Sequence, residues 1–267
     1  MRILLLVFLL AVSPAAAHEF WLAPLAYQPA ADSRIEAHIV NGEKFEGIKL
    51  AYIPRKFKSF VIVHAGRAVP AKSRLGSRPA LNQQALGDGL HIIAYQSEAD
   101  TVNYSKFEKF QKFADHKDFP DIRARHLRRD LPEKNFREVY TRYSKALIGV
   151  GSGNGDDVRT GLETELVALD NPYTADLTDG LRVQLFYSGE VRVNAQVELF
   201  EKREGEDVSV TYYRTDVHGI ATLPVQPGHD YMVDAVVLRE PDTKIATESG
   251  AVWETLWANL TFSVPEK

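Results

Sequence analysis

Apolar and polar residues alternate in three early stretches of the chain. "RIEAHIV" (34–40) sets Ile35, Ala37 and Ile39 against Glu36 and His38. "FVIVHAG" (60–66) is β-branched and ends at Gly66, and "HIIAYQS" (91–97) follows the turn-forming "GDG" (87–89). A period of two, punctuated by glycine and proline, predicts half-buried strands. The last third returns to the same pattern in "LRVQLFYSGE" (181–190), "AQVELFEKRE" (195–204), "DVSVTYYRTD" (207–216), "GIATLPV" (219–225), "YMVDAVVLRE" (231–240) and "NLTFSV" (259–264). "TDVHGIATL" reads as a hairpin whose turn is bracketed by Asp216 and Gly219.

The middle of the chain has another rhythm. Tyr104, Phe107, Phe110 and Phe113 recur at helical spacing, and so do Phe136, Val139 or Tyr140, Tyr143 and Leu147. This predicts amphipathic helices broken near Pro120 and Pro132, with the aromatic stripes as core contacts. "GSGNGDD" (151–157) reads as a solvated loop, since it lacks the alternating ligands and closing glutamate of a calcium loop. The pattern as a whole predicts a mainly β chain. Two antiparallel β-sandwich-like domains, the C-terminal one immunoglobulin-like or transthyretin-like, flank a helical insert. The expected boundaries are 18–103 for the first β domain, 104–150 for the charged helical insert, 151–160 for a linker and 161–267 for the second β domain.

The first residues do not fit either rhythm. Arg2 precedes an apolar run from Ile3 to Val12, Ser13 and Pro14 break it, and Ala15 to Ala17 offer the small residues that signal peptidase accepts. A membrane-spanning helix needs about 20 apolar residues, more than this run supplies. Residues 1–17 are therefore expected to be a cleaved secretory signal, and the chain is expected in the periplasm. No later stretch is apolar enough to span a membrane. A formal net charge of -4 argues against nucleic acid as a partner. There is no cysteine, so an exported chain must rely on its core or on bound metal rather than on disulfides.

The familiar enzyme signatures are missing, and no catalytic residue is predicted. There is no nucleophile elbow, phosphate loop, dinucleotide fingerprint or His-Glu-x-x-His. Histidine is the informative type. Cleavage after Ala17 would make His18 the first residue, with a free amine beside its own imidazole. Together with a further imidazole from His38, His64 or His91, this nitrogen-rich set suits copper, nickel, cobalt or zinc. Metal binding would displace the amine proton. Each strand histidine also has a plain reading as a solvated or hydrogen-bonded side chain. His116, His126, His218 and His229 are expected at the surface. Phe20 and Trp21 are expected to bury the first strand and so to fix the terminus.

"HEFWLAPLAY" after the signal, "EVYTRYSKALIGVG" (138–151), "GLETELVALDNPY" (161–173), "TDVHGIATLPV" (215–225) and "VWETLWANLTF" (252–262) together resemble the domain-of-unknown-function 4198 family. Its members are exported bacterial proteins associated with nickel or cobalt uptake. The resemblance covers essentially the whole chain after the signal. It places His18, Glu19, Phe20 and Trp21, then Tyr143, Ser144 and Lys145, then Trp253 and Trp257, on family motifs, and assigns none of them a catalytic role. It implies a transthyretin-like C-terminal sandwich. It also implies a periplasmic accessory protein that binds nickel or cobalt, with copper or zinc as alternatives, and passes the ion to a membrane uptake system. Two other functions compete: a metal-free interaction module of the cell envelope, and a copper oxygenase in which a second histidine faces His18.

Overall fold

The computed structural model describes residues 18–266, so the expected signal segment lies outside the described residues. The chain begins with β1 (Glu19–Pro24), β2 (Arg34–Glu43), β3 (Glu46–Leu50), β4 (Phe57–His64), β5 (Arg67–Pro70), β6 (Leu81–Gln84), β7 (Gly89–Ser97) and β8 (Asp100–Tyr104). Two helices follow, α1 (Phe107–His116) and α2 (Ile122–Arg128), and then the long β9 (Phe136–Val150). The remainder is β10 (Thr164–Ala168), β11 (Leu181–Tyr187), β12 (Glu190–Val191), β13 (Gln196–Lys202), β14 (Ser209–Arg214), β15 (Ile220–Leu223), β16 (His229–Arg239), α3 (Thr243–Ser249) and β17 (Ala251–Val264).

The fold is mainly β and layered like a sandwich. A nine-stranded sheet runs in the order β14-β13-β16-β17-β9-β7-β4-β5, with β8 paired to the other half of β9. One four-stranded sheet joins β1, β2 and β3, with β6 on β2, and another joins β10, β11 and β12, with β15 on β11. The small sheets cover opposite faces of the large one. Side chains on a strand alternate between faces, and β7 and β9 divide accordingly. Ile93, Tyr95, Ala146 and Ile148 join the core under β1 and β2, with Phe20, Leu22, Ile35 and Ile39. Leu90, Ile92 and Leu147 join the core under β10 and β11, with Leu166, Val183 and Leu185.

The helical reading is half right. α1 and α2 form, and Phe107, Phe110 and Phe113 are buried against Trp253 and Trp257, so this aromatic stripe is a core face. The second stripe is not helical. Residues 136–150 form a strand with β7 and β8 along one edge and β17, in parallel, along the other. Covered on both faces, such a strand loses its polar alternation and reads as continuously apolar. The chance spacing of Val139, Tyr143 and Leu147 then imitates a helix. His126 also departs from expectation. It is buried, donating through Nε2 to Pro132 O (3.1 Å) and accepting from Trp253 Nε1–H at Nδ1 (3.0 Å).

Candidate functional site

Of His18 and the three histidines that could have supplied its second imidazole, His18 pairs with the Glu43 carboxylate and His64 and His91 stack on each other. His18 and Glu43 lie at the open end of the β1–β2 pair, because Glu19 is in register with Gly42. His18 Nδ1 is 3.3 Å from Glu43 Oε1, and both side chains are about half exposed, 49% and 51%. His38 is five residues further along β2, opposite Ala23. Its Nδ1 is buried with no hydrogen-bond partner among the described residues. Burial first, and the Lys49 charge second, hold its pKa below the usual histidine value.

His64 and His91 do meet, though not as a ligand pair for His18. Their rings stack with centroids 4.1 Å apart at 7°. His91 uses both nitrogens internally. Nε2 accepts from Leu86 N–H (3.0 Å), so Nδ1 carries the proton and donates to Gly89 O (3.0 Å). A neutral imidazole with both edges taken has no lone pair for a metal. Burial also lowers its pKa. His64 Nδ1 is 3.0 Å from Leu90 O. Among the described residues no group of three or more histidine, aspartate or glutamate side chains is arranged to hold a metal ion.

What remains at the start of β1 is a two-donor pair on a rigid support. Phe20 and Trp21 are buried, as the sequence led one to expect, and so is Leu22. Leu22 N–H donates to Ser144 Oγ (3.2 Å), and Thr261 Oγ1 donates to Leu22 O (2.7 Å), which ties β1 to β9 and β17. Donors with metal bonds near 2.0–2.2 Å lie about 3 Å apart around one ion, and the His18–Glu43 pair fits that spacing.

Beneath this pair sits a buried ion cluster that sequence reading missed. Lys117 Nζ is 2.9 Å from Glu198, 3.4 Å from Asp234 and 4.0 Å from Glu19. It also lies 4.9 Å from the Trp257 ring centre, while the Arg142 guanidinium covers the same ring at 4.0 Å. His116 Nε2 stands 3.7 Å from Glu198. Burial, then the Asp234 charge, pushes Glu19 up to about 7. Burial likewise pushes Asp234 up to about 6. Burial would raise Glu198 too, but His116 and Lys117 together hold it below its ordinary value. The available signal was a charge in mid-strand: Glu198 interrupts "QVELF" and Asp234 interrupts "YMVDAVV".

A cleft of about 830 Å³ opens elsewhere, lined in part by Tyr143, Glu163, Arg239, Lys244 and Glu254. Arg239 organises it, with Nε and Nη2 on Glu254 (2.7 and 3.0 Å) and Nη1 on Glu163 (2.5 Å) and the Tyr187 hydroxyl (2.8 Å).

No curated protein matches this chain. Among solved structures it is similar to a tetra-tandem repeat from the extending region of a large adhesion protein. The identity is 11%, the TM-score is 0.20, and the alignment covers 92% of this chain but 49% of that one, about half its length. A family model described as "Domain of unknown function (DUF4198)" matches residues 15–239. The motifs from the His18 terminus to the strand of Lys145 and the turn at Asp216 fall within that span, and the chain belongs to the DUF4198 family.

Proposed function

We propose that the protein, exported and cut after Ala17, is a periplasmic accessory protein that binds a transition-metal ion, nickel or cobalt in the first place, as cargo for a membrane uptake system. The observation behind this reading is the 3.3 Å approach of His18 Nδ1 to Glu43 Oε1 on a half-exposed, well-anchored edge. Cleavage would add the terminal amine, giving two nitrogens and one oxygen. This ligand set suits nickel, cobalt, copper or zinc better than magnesium or calcium. An open site with few protein donors suits an ion that must be handed on. His38, His64 and His91 take no part. The copper oxygenase reading loses support, because the group His18 meets is a carboxylate rather than a second imidazole.

Isothermal titration of the processed protein with nickel, cobalt, copper and zinc tests the proposal. Glu43→Gln and a variant with one residue inserted before His18 should each bind at least tenfold more weakly. Equal affinity in all three proteins would overturn it. The cleft around Arg239 favours a second reading, an envelope module that binds a polar partner without metal. That reading expects indifference to chelators and loss of partner binding in Arg239→Ala.

A further inference from the structure

Lys145, Asp157 and Glu165 form a separate cluster in which each side chain is at most 1% exposed. Lys145 lies on β9 of the large sheet, Asp157 on the segment leading to β10, and Glu165 on β10 of the opposing small sheet. Lys145 Nζ is 2.7 Å from Asp157 Oδ1 and 3.3 Å from Glu165 Oε1. It also donates to Val158 O (3.0 Å) and Leu166 O (3.1 Å), which hold it in place.

The carboxyl oxygens are not equivalent. Asp157 Oδ2 accepts from Ala168 N–H (2.8 Å). Asp157 Oδ1, though close to Nζ, makes no hydrogen bond of proper angle among the described residues. Glu165 Oε1 accepts from Thr160 N–H and Oγ1 (both 2.7 Å), whereas Oε2 has no hydrogen-bond partner among the described residues. One ammonium faces two carboxylates in a region closed to water. Such burial disfavours net charge, so a proton belongs on one of the acids. Burial raises the Asp157 pKa despite the lysine beside it.

We propose that Lys145 and Asp157 condense into an intramolecular amide, with Glu165 relaying the proton. The step opens with transfer of one ammonium proton from Nζ to the Asp157 carboxylate, which leaves a lone pair on Nζ. The Nζ lone pair attacks Asp157 Cγ, and the Nζ–Cγ bond forms. Glu165 takes one proton from Nζ and delivers it to Oδ1. The Cγ–Oδ1 bond breaks, and Oδ1 leaves with that proton and the acid's own as one water molecule. Nothing is oxidised or reduced. Oδ2 stays as the amide oxygen and keeps its bond from Ala168 N–H. The oxygen that departs is the one facing Nζ, so the Ala168 N–H bond to the other oxygen survives the reaction. Fixed approach of the reacting groups supplies the effective concentration that free amines and acids lack. Exclusion of water protects the product from hydrolysis. The amide would lock β9 to the segment that enters β10.

Mass spectrometry of the denatured, full-chain protein tests this. The wild type should be lighter by one water than its sequence requires. Tandem spectra of a digest should contain a branched peptide joining Lys145 to Asp157. Lys145→Arg, Asp157→Ala and Glu165→Gln should each retain the water. A wild-type chain of full mass overturns the proposal, and so does a water loss that maps elsewhere, such as to Asp88-Gly89. The decisive reading is made on the wild type, so poor folding of a variant does not obscure it.

Discussion

Single buried charges govern how this protein should respond to pH. Glu138 is 2% exposed, and its carboxylate accepts from the Tyr104 hydroxyl (2.9 Å) and from the Thr255 hydroxyl. Burial outweighs those bonds and pushes its pKa up to about 7 from 4.5. The folded state therefore binds a proton that the unfolded state has lost between those values. The stabilisation is complete below pH 4.5 and is lost as pH rises through 7, a swing of about 3 kcal/mol for this one group. Urea unfolding at pH 5 and pH 8 should show lower stability at the higher pH, and Glu138→Gln should flatten much of that slope. Lys117 is the second such residue. Removing it as Lys117→Met strands Glu19, Glu198 and Asp234 beside one another. The loss should be about 3–5 kcal/mol at pH 8, and less at pH 5, where Glu19 and Asp234 are protonated. An equal loss at both pH values would mean that the carboxylates are not what Lys117 serves.

Among the elements, α1 and β17 depend on each other. Phe110 stacks on Trp253 (5.9 Å, 27°) and Phe113 on Trp257 (5.5 Å, 19°), while Trp253 donates to His126 on α2. Trp253 is fully buried, so Trp253→Ala should cost about 3–5 kcal/mol. Leu127→Ala, on the exposed side of α2, should stay within about 0.5 kcal/mol. Thermal or urea unfolding separates the two. The sequence was most readable where one face of an element meets water or a neighbour of different polarity. The strand runs at 34–40, 60–66 and 91–97 lie where their alternation put them. The turn at Asp216 forms, with Asp216 Oδ1 accepting from His218 and Ile220 N–H, but it is no hairpin: β14 before it pairs with β13 and β15 after it pairs with β11, in another sheet. Reading failed at β9 and at the first half of β17, whose residues are covered on both faces and carry no alternation. It failed for His91 and His126 for a related reason. A residue name shows what an imidazole can do, but its lone pairs are claimed by the Leu86 N–H and the Trp253 indole, which only the fold brings to them.

At the scale of the whole molecule, one sheet crosses the boundary between the two β regions. β17, near the end of the chain, pairs in parallel with β9, and β9 pairs in turn with β7 of the first region. The small sheets then close opposite faces of these shared strands, so β7 and β9 contribute side chains to both main cores. A chain limited to residues 161–267 would lose β9 from the edge of β17, where ten positions from Arg137 to Ala146 are in register. An uncovered apolar edge of that length invites pairing with other chains. Glu165, fully buried, would lose Lys145. A chain limited to residues 18–103 would lack the strand against which β7 and β8 pair. Neither half should fold alone, and the intact protein should unfold in one transition, with coincident curves by tryptophan fluorescence and far-ultraviolet circular dichroism. All three tryptophans report usefully, since Trp21 belongs to β1 and Trp253 and Trp257 to β17. Two separated transitions, or a dispersed amide spectrum from either fragment, would show that the parallel β9–β17 pair joins two independent units instead of completing one.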